Sequence, residues 1–297
     1  MSGAVLPQKP RRGVIGRALG VLWDVASRPS GAIGLGLVLG HILLAILSPL
    51  LSSYDVTTMN SSEILEGPSG THLLGTDHLG RDTLARVAQG GRVALLVTGI
   101  ATPVALLWGG LLGVYLGLAG GRLDEAVMRV VDAFLAIPGV LPLMVLVTVF
   151  GTGNAVMIPT LAFFYGIPVI RVIRAAAHDV VARDFILAAR ARGHSRLSIV
   201  WRELLPNVRD AMMVEGAMRW SWMLLAFSSL SFLGFGVSPP TPDWGQMISE
   251  ARIYMPLAPW GVLGPVIALS SLIIGINLTA DALAKAMGID RSRKAVI

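Results

Sequence analysis

His72, Asp77 and His78 are metal-ligand types standing within seven residues of one another. A nickel or zinc site is the chemistry they suggest. No further ligand follows at helical spacing. A local salt-bridged turn of Asp77, Arg81 and Asp82, capping the helix that starts after it, accounts for the same residues without a metal. A second set lies inside apolar stretches: His41, Asp132, and Glu215 with Arg219. Ionisable groups in such places are functional candidates by default, and a proton relay would make the chain an ion-coupled carrier. These groups are few, however. Glu215 and Arg219, four apart, pair on one helix face; Asp132 is expected beside Arg129 or a neighbouring loop, and His41 in a hydrogen bond inside the bundle. Ser228, Ser229 and Ser231 lack a nucleophile elbow. Phosphate chemistry fails on the lysines: Lys9, Lys285 and Lys294 are the only three, and none follows glycine, so the chain has no P-loop. Gly34, Gly36 and Gly40 lie in an apolar run without the strand–turn–helix setting of a dinucleotide loop. Without cysteine, thiolate chemistry and disulfides are excluded. The residues therefore predict no catalytic centre, metal or cofactor.

The elements that must carry these groups are membrane spans. Of 297 residues, 54% are hydrophobic and only 14% charged, where soluble domains carry roughly 25%. Crossing about 30 Å of hydrocarbon takes about 20 apolar residues in a helix. Six stretches qualify: 31–52, 92–119, 125–150, 154–176, 209–235 and 259–284, the fourth interrupted by Pro159, Gly166 and Pro168. The net charge of +6 sits beside the spans rather than in one aromatic-rich patch, against nucleic acid as a partner. With the N-terminus in the cytoplasm, nineteen Lys/Arg fall on the inner side and only Arg81, Arg86, Arg92 and Arg252 outside, Arg219 lying in a span. That asymmetry predicts both termini inside. The first apolar run is too long for a cleavable signal and reads as a retained span.

Gly109, Gly113, Gly117 and Gly121 form a glycine ladder on the second span, a face for close packing within the subunit or between subunits. The connection between spans four and five carries two short helical patterns. The first runs from Asp184 to a stop at Gly193. In the second, Leu197, Val200, Trp201 and Leu204 share a face, Arg196, Ser198 and Arg202 point elsewhere, and Pro206 ends the run. Such basic amphipathic helices suit either a protein groove or an anionic lipid surface. Pro239, Pro240 and Pro242 with Trp244 predict a stiff aromatic rim on the outer side.

The order Ala188-Ala189, Gly193, then Leu205-Pro206 resembles the EAA loop of ABC-importer permeases. Leu187 stands where the glutamate of that loop usually sits. The segment from His72 to Asp82, the segment from Ser231 to Gly245, and Arg129, Asp132 and Ile137-Pro138 are similar to signatures of the dipeptide/oligopeptide/nickel permease family, in its second, DppC-like subunit. The resemblance runs from about residue 30 to 283. The tail departs from it, with Ile289-Asp290-Arg291 in place of Asp-Pro-Arg, and Phe227 replaces an acidic residue.

The resemblance implies an all-α polytopic protein with the type I importer (MetI-like) fold, in a bacterial inner membrane. Residues 1–29 would be a cytoplasmic segment, 30–287 the permease domain and 288–297 a cytoplasmic tail. Within the domain lie an outer segment 53–91, a coupling loop 177–208 and an outer loop 236–258. Ala188, Ala189, Arg192, Gly193, Leu197, Trp201, Leu205 and Pro206 would meet the ATPase. Gly75, Thr76, Asp77, Gly80, Arg81, Asp82, Gly234, Pro240, Pro242, Trp244 and Gly245 would be the outer signature residues. Implied partners are a homologous second permease, two ATPase subunits binding ATP and Mg, and an extracytoplasmic binding protein. Di- or oligopeptides are the expected substrates, with nickel or glutathione as alternatives.

Overall fold

The computed structural model describes residues 14–51 and 54–289. Lys9, Arg11, Arg12, Arg291, Arg293 and Lys294, which enter the orientation count, lie outside the described residues, as does the side chain of Arg17. The chain is helical: α1 (Val14–Ala26), α2 (Pro29–Leu51), α3 (Thr83–Ala119), α4 (Gly121–Leu135), α5 (Val140–Phe150), α6 (Asn154–Val181), α7 (Asp184–Ala191), α8 (Arg196–Ile199), a π turn (Val200–Leu204), α9 (Leu205–Phe232), α10 (Trp244–Ala251) and α11 (Trp260–Ala286). Four helices (α2, α3, α6 and α11) are long and apolar enough to cross a membrane, and the α4–α5 pair makes a fifth candidate if its two halves form one span. At 28 residues, α9 is also long enough, but Arg209, Asp210, Glu215 and Arg219 make it less apolar.

The third expected span is not one straight helix. It breaks after Leu135, and α4 and α5 meet at 83°. The break falls at Ile137-Pro138, where the proline ring disfavours helical backbone in the residue before it. In contrast, α6 runs unbroken through Pro159 and Pro168. Helix α3 begins nine residues before the expected start; at about 55 Å it is longer than the hydrocarbon is thick.

Glycines set how closely the helices approach. A Cβ on Gly109 would lie 2.3 Å from the Gly166 carbonyl, and one on Gly113 2.7 Å from that of Ile170. The ladder of α3 is therefore the seam with α6, within this subunit. Gly121 does not belong to it; it opens α4 with nothing near its α-carbon. Gly34 of α2 seats against Thr279 of α11 in the same way, 2.7 Å from its backbone nitrogen. The main core lies between α3, α6, α9 and α11, around Val97, Ala101, Leu161, Phe227, Leu230 and Leu272. Phe227, which replaces the acidic residue of the resembled signature, is wholly buried there. One polar chain crosses this core: Trp220 donates its indole N–H to Thr98 Oγ1 at 2.9 Å, and Thr98 donates to the Ala94 carbonyl at 2.7 Å.

Candidate functional site: an exposed corner, a loop cap and ion-paired spans

The α7–α8 corner is built on one buried seam. Ile186 and Ala189 of α7, Ile199 of α8, and Val200 and Leu204 of the π turn pack with Ile173 and Ala177 of α6 and Val208 of α9. Gly193, at φ +77°, takes the left-handed conformation that ends α7, and the His194 N–H reaches back to the Ala189 carbonyl at 3.2 Å. Ser195 caps α8, accepting from the Ser198 N–H at 3.3 Å. Two expectations are corrected here. Pro206 does not end the second helix; it is the second residue of α9, and the chain runs helical from α8 through the π turn into α9 without a break. The expected apolar face also splits. The wider π turn carries Val200 and Leu204 into the core and leaves Leu197 62% and Trp201 53% exposed. Leu187 is exposed on the same corner, among the exposed Arg190, Arg192 and Arg196, while Ala188 is exposed and Ala189 buried. This corner thus exposes both large apolar and cationic side chains.

At the opposite end of α3 the segment before it, residues 54–82, folds into a cap. Asp82 is the N-cap of α3, accepting from the Ala85 N–H at 2.7 Å, and binds His72 Nδ1 at 2.8 Å. That bond, with a second from His72 to Glu63 at 3.3 Å, raises the His72 imidazole above its ordinary value. Asp77 accepts from the Leu79 and Arg81 N–H groups and pairs with Arg81 at 2.7 Å, closing the expected turn. Gly80 takes φ +71°, and a Cβ there would lie 1.8 Å from the Asn60 carbonyl. Thr76 is buried; its carbonyl accepts the Trp260 indole N–H at 3.0 Å, against which Gly75 packs. Arg81 and Arg86 both reach Glu250 on α10, at 3.4 and 3.8 Å. Nothing in the sequence pattern marked Glu250 as their partner, since it is 169 residues from Arg81.

Trp244 is not on an outer rim. It is 2% exposed, starts α10, and donates its indole N–H to the Val87 carbonyl at 2.8 Å. Gly245 packs on the Ser228 carbonyl, where a Cβ would come within 2.2 Å. Pro242 is buried and Pro240 exposed; Gly234 turns the chain out of α9 at φ +88°. Asp243 caps α10, its Oδ1 accepting from the Gly245 and Gln246 N–H groups at 3.0 and 3.2 Å. Burial pushes its carboxyl up to about 6.

The ionisable groups of the spans are mostly ion-paired. Glu215 and Arg219 pair at 2.5 Å as their spacing predicts, and His41 meets Ser271 Oγ at 2.8 Å. Asp132 pairs with Arg171 of α6; Arg129 instead binds Glu125, at 2.6 Å. One pair escaped the sequence reading. Asp124, buried in the first turn of α4, accepts two hydrogen bonds from Arg174 of α6. Its only signal was an acidic residue at a helix start. Among the described residues no three His, Cys, Asp or Glu side chains gather as a metal site.

A helical bundle with four or five candidate spans and broadly exposed apolar faces is that of a multi-pass membrane protein. Residues 109–289 match the family described as the binding-protein-dependent transport system inner membrane component, and the chain belongs to that family. Over 256 residues it is 33% identical to the dipeptide transport system permease protein DppC of Alkalihalophilus pseudofirmus, covering 86% of this chain and 84% of the relative. It is 35% identical over 253 residues to the glutathione transport system permease protein GsiD of Salmonella typhimurium, covering 85% and 84%. The nickel transport system permease protein NikC of Escherichia coli is 33% identical over 259 residues, covering 87% and 94%. The chain is thus an inner-membrane permease component of an ABC importer and not itself the ATPase. Membership in a binding-protein-dependent system implies ATPase and binding-protein partners.

Proposed function

We propose that the chain is the DppC-like half of a permease pair that imports di- or oligopeptides. The observation that carries the coupling role is the α7–α8 corner: exposed Leu187, Leu197 and Trp201 with the exposed Arg190, Arg192 and Arg196 on the same two short helices and the turns between them, on a seam shared with α3, α6 and α9. An apolar knob set into a partner's groove gives affinity; its buried seam makes it move with the spans rather than independently. Two ATPase subunits carry ATP and Mg, one beneath this corner and one beneath its counterpart on the second permease. ATP binding draws the two corners together, the bundle opens outward to accept substrate from the binding protein, and hydrolysis resets it inward. The Lys/Arg asymmetry supports the corner and both termini facing the cytoplasm. The cap made by residues 54–82 and α10 then faces outward, with the binding protein docking on that side. The peptide assignment is supported by the dipeptide transport relatives, and that of glutathione, itself a small peptide, fits it.

Because Pro206 lies in the unbroken helical run from the π turn into α9, its removal would disturb the bundle; the two exposed side chains test coupling more cleanly. The double variant Leu197→Glu, Trp201→Glu is expected to insert normally but to lose the ATPase on co-purification. Undiminished ATPase recovery would overturn the docking role. Uptake of radiolabelled Ala-Ala, glutathione and nickel by vesicles holding the assembled importer decides the substrate class. Uptake by this chain alone, indifferent to ATP, would overturn the import mechanism in favour of an ion-coupled carrier.

A further inference from the structure

Six arginines lie within α3, α6 and α9: Arg86, Arg92, Arg171, Arg174, Arg209 and Arg219. Five of them pair with carboxylates, on Asp77 and Glu250, Asp132, Asp124, Asp210 and Glu215. Arg92 is exposed and, among the described residues, has neither an ion pair nor a hydrogen bond. Among the arginines described in these three helices, Arg92 is the one left to meet an anion from outside the chain.

Two cavities meet at Arg92. One, of about 460 Å³, is walled by Ile42 and Ile46 of α2, Leu96 of α3 and Trp220 of α9. The other, of about 250 Å³, is lined by Gln89 of α3, Asn154 at the start of α6, and Thr241 of the loop before α10. The first is within the size range of small-molecule sites. Its walls are apolar and aromatic, whereas the second offers two amides and a hydroxyl whose side chains make no hydrogen bond among the described residues. A planar fork between an apolar wall and a polar one suits a small molecule with a carboxylate, a hydrogen-bonding backbone and a hydrophobic side chain.

We infer that Arg92 holds the carboxylate of the transported molecule at the mouth between α3, α9 and the loop before α10. That the molecule is a peptide rests on the function proposed above; the preference for an anion does not. A phospholipid phosphate could also meet Arg92, but it would use only the α2 side and leave the Gln89, Asn154 and Thr241 side unexplained.

The chain lacks cysteine, so Leu96→Cys places a single thiol in both cavities. In the assembled importer in liposomes, its labelling is followed by the mass of this chain. The probes are the anionic sulfonatoethyl and the cationic trimethylammonioethyl methanethiosulfonates. Adding Arg92→Gln is expected to lower the anionic-to-cationic rate ratio by about fivefold, and Arg92→Lys to restore most of it. Saturating Ala-Ala should slow labelling where Ala-Ala amide does not, and Arg92→Gln should abolish that difference. An unchanged ratio overturns the inference, as does equal protection by acid and amide. A ratio that follows phosphatidylglycerol content, with no protection by Ala-Ala, gives Arg92 to lipid phosphate and also overturns it. If vesicles that carry out ATP-driven uptake take up no Ala-Ala, the peptide reading falls. The rate ratio then decides alone whether Arg92 is an anion anchor.

Discussion

The indole of Trp244 occupies the space that a side chain on Gly91 would need: a Cβ there would stand 2.6 Å from its ring carbons. Together with the bond from Trp244 to the Val87 carbonyl, this contact docks α10 on the N-terminal part of α3. Overpacking at such a contact costs about 1–3 kcal/mol. Gly91→Val is expected to displace Trp244 and lower the thermal midpoint of the purified subunit complex. Gly99→Ala, eight residues along α3 with open space at its α-carbon, should not. Equal midpoints for the two variants would show that Trp244 does not secure α10.

Asp124 and Arg174 tie the start of α4 to α6 across 50 residues of sequence. Breaking a buried pair by removing one partner costs 3–5 kcal/mol. Arg174 is 27% exposed, so Asp124→Asn is expected to cost less, about 2 kcal/mol. In a double-mutant cycle with Arg174→Gln, the two losses should not add. Additive losses in denaturant unfolding would mean that the two side chains do not interact.

Gly193 holds a backbone conformation that a Cβ disfavours, at φ +77°. Gly193→Ala should cost about 1 kcal/mol and tilt α8 relative to α7. The sensitive readout is ATP hydrolysis stimulated by the loaded binding protein. It should fall several-fold while bundle stability changes little. Full stimulation in this variant would show that the angle between the two helices is unimportant for coupling.

Asp243 carries a pH dependence with a definite sign. Its folded value of about 6 lies above that of an unfolded aspartate, so the folded chain holds a proton that the unfolded chain has released. The stabilisation is complete below the unfolded value, near 4, and is lost as pH rises through about 6. Asp243→Asn keeps the acceptor for Gly245 and Gln246 and removes the charge. It should match the parent near pH 4 and be more stable at pH 8, by on the order of 2 kcal/mol. Hydrogen exchange of the α10 amides across this range checks it; a constant difference between the two proteins would refute the titration.

Much of this was legible in the residue order, because it depends on composition or on neighbours within one turn. A charge content of 14% defines a membrane bundle in any topology. Asp77–Arg81 and Glu215–Arg219 pair at a spacing that a helix or tight turn supplies by itself. Asp82 caps α3 through the N–H groups immediately after it. The repeat from Gly109 to Gly117 announced a close helix seam, although not that its partner is α6.

What only the tertiary structure decided involves distance along the chain or a departure from regular helix. Asp132 finds Arg171 rather than Arg129, and Glu250 closes the cap on Arg81 and Arg86, because packing brings those helices together. Leu197 and Trp201 part from Val200 and Leu204 because a π turn changes the rotation per residue, which a period of 3.6 cannot foresee. Trp244 looked like an exposed ring among prolines and became a buried anchor because Gly90 and Gly91, more than 150 residues earlier, leave room for it. Local rules reach one helical turn; the rest is settled by which surfaces the folded bundle brings into contact.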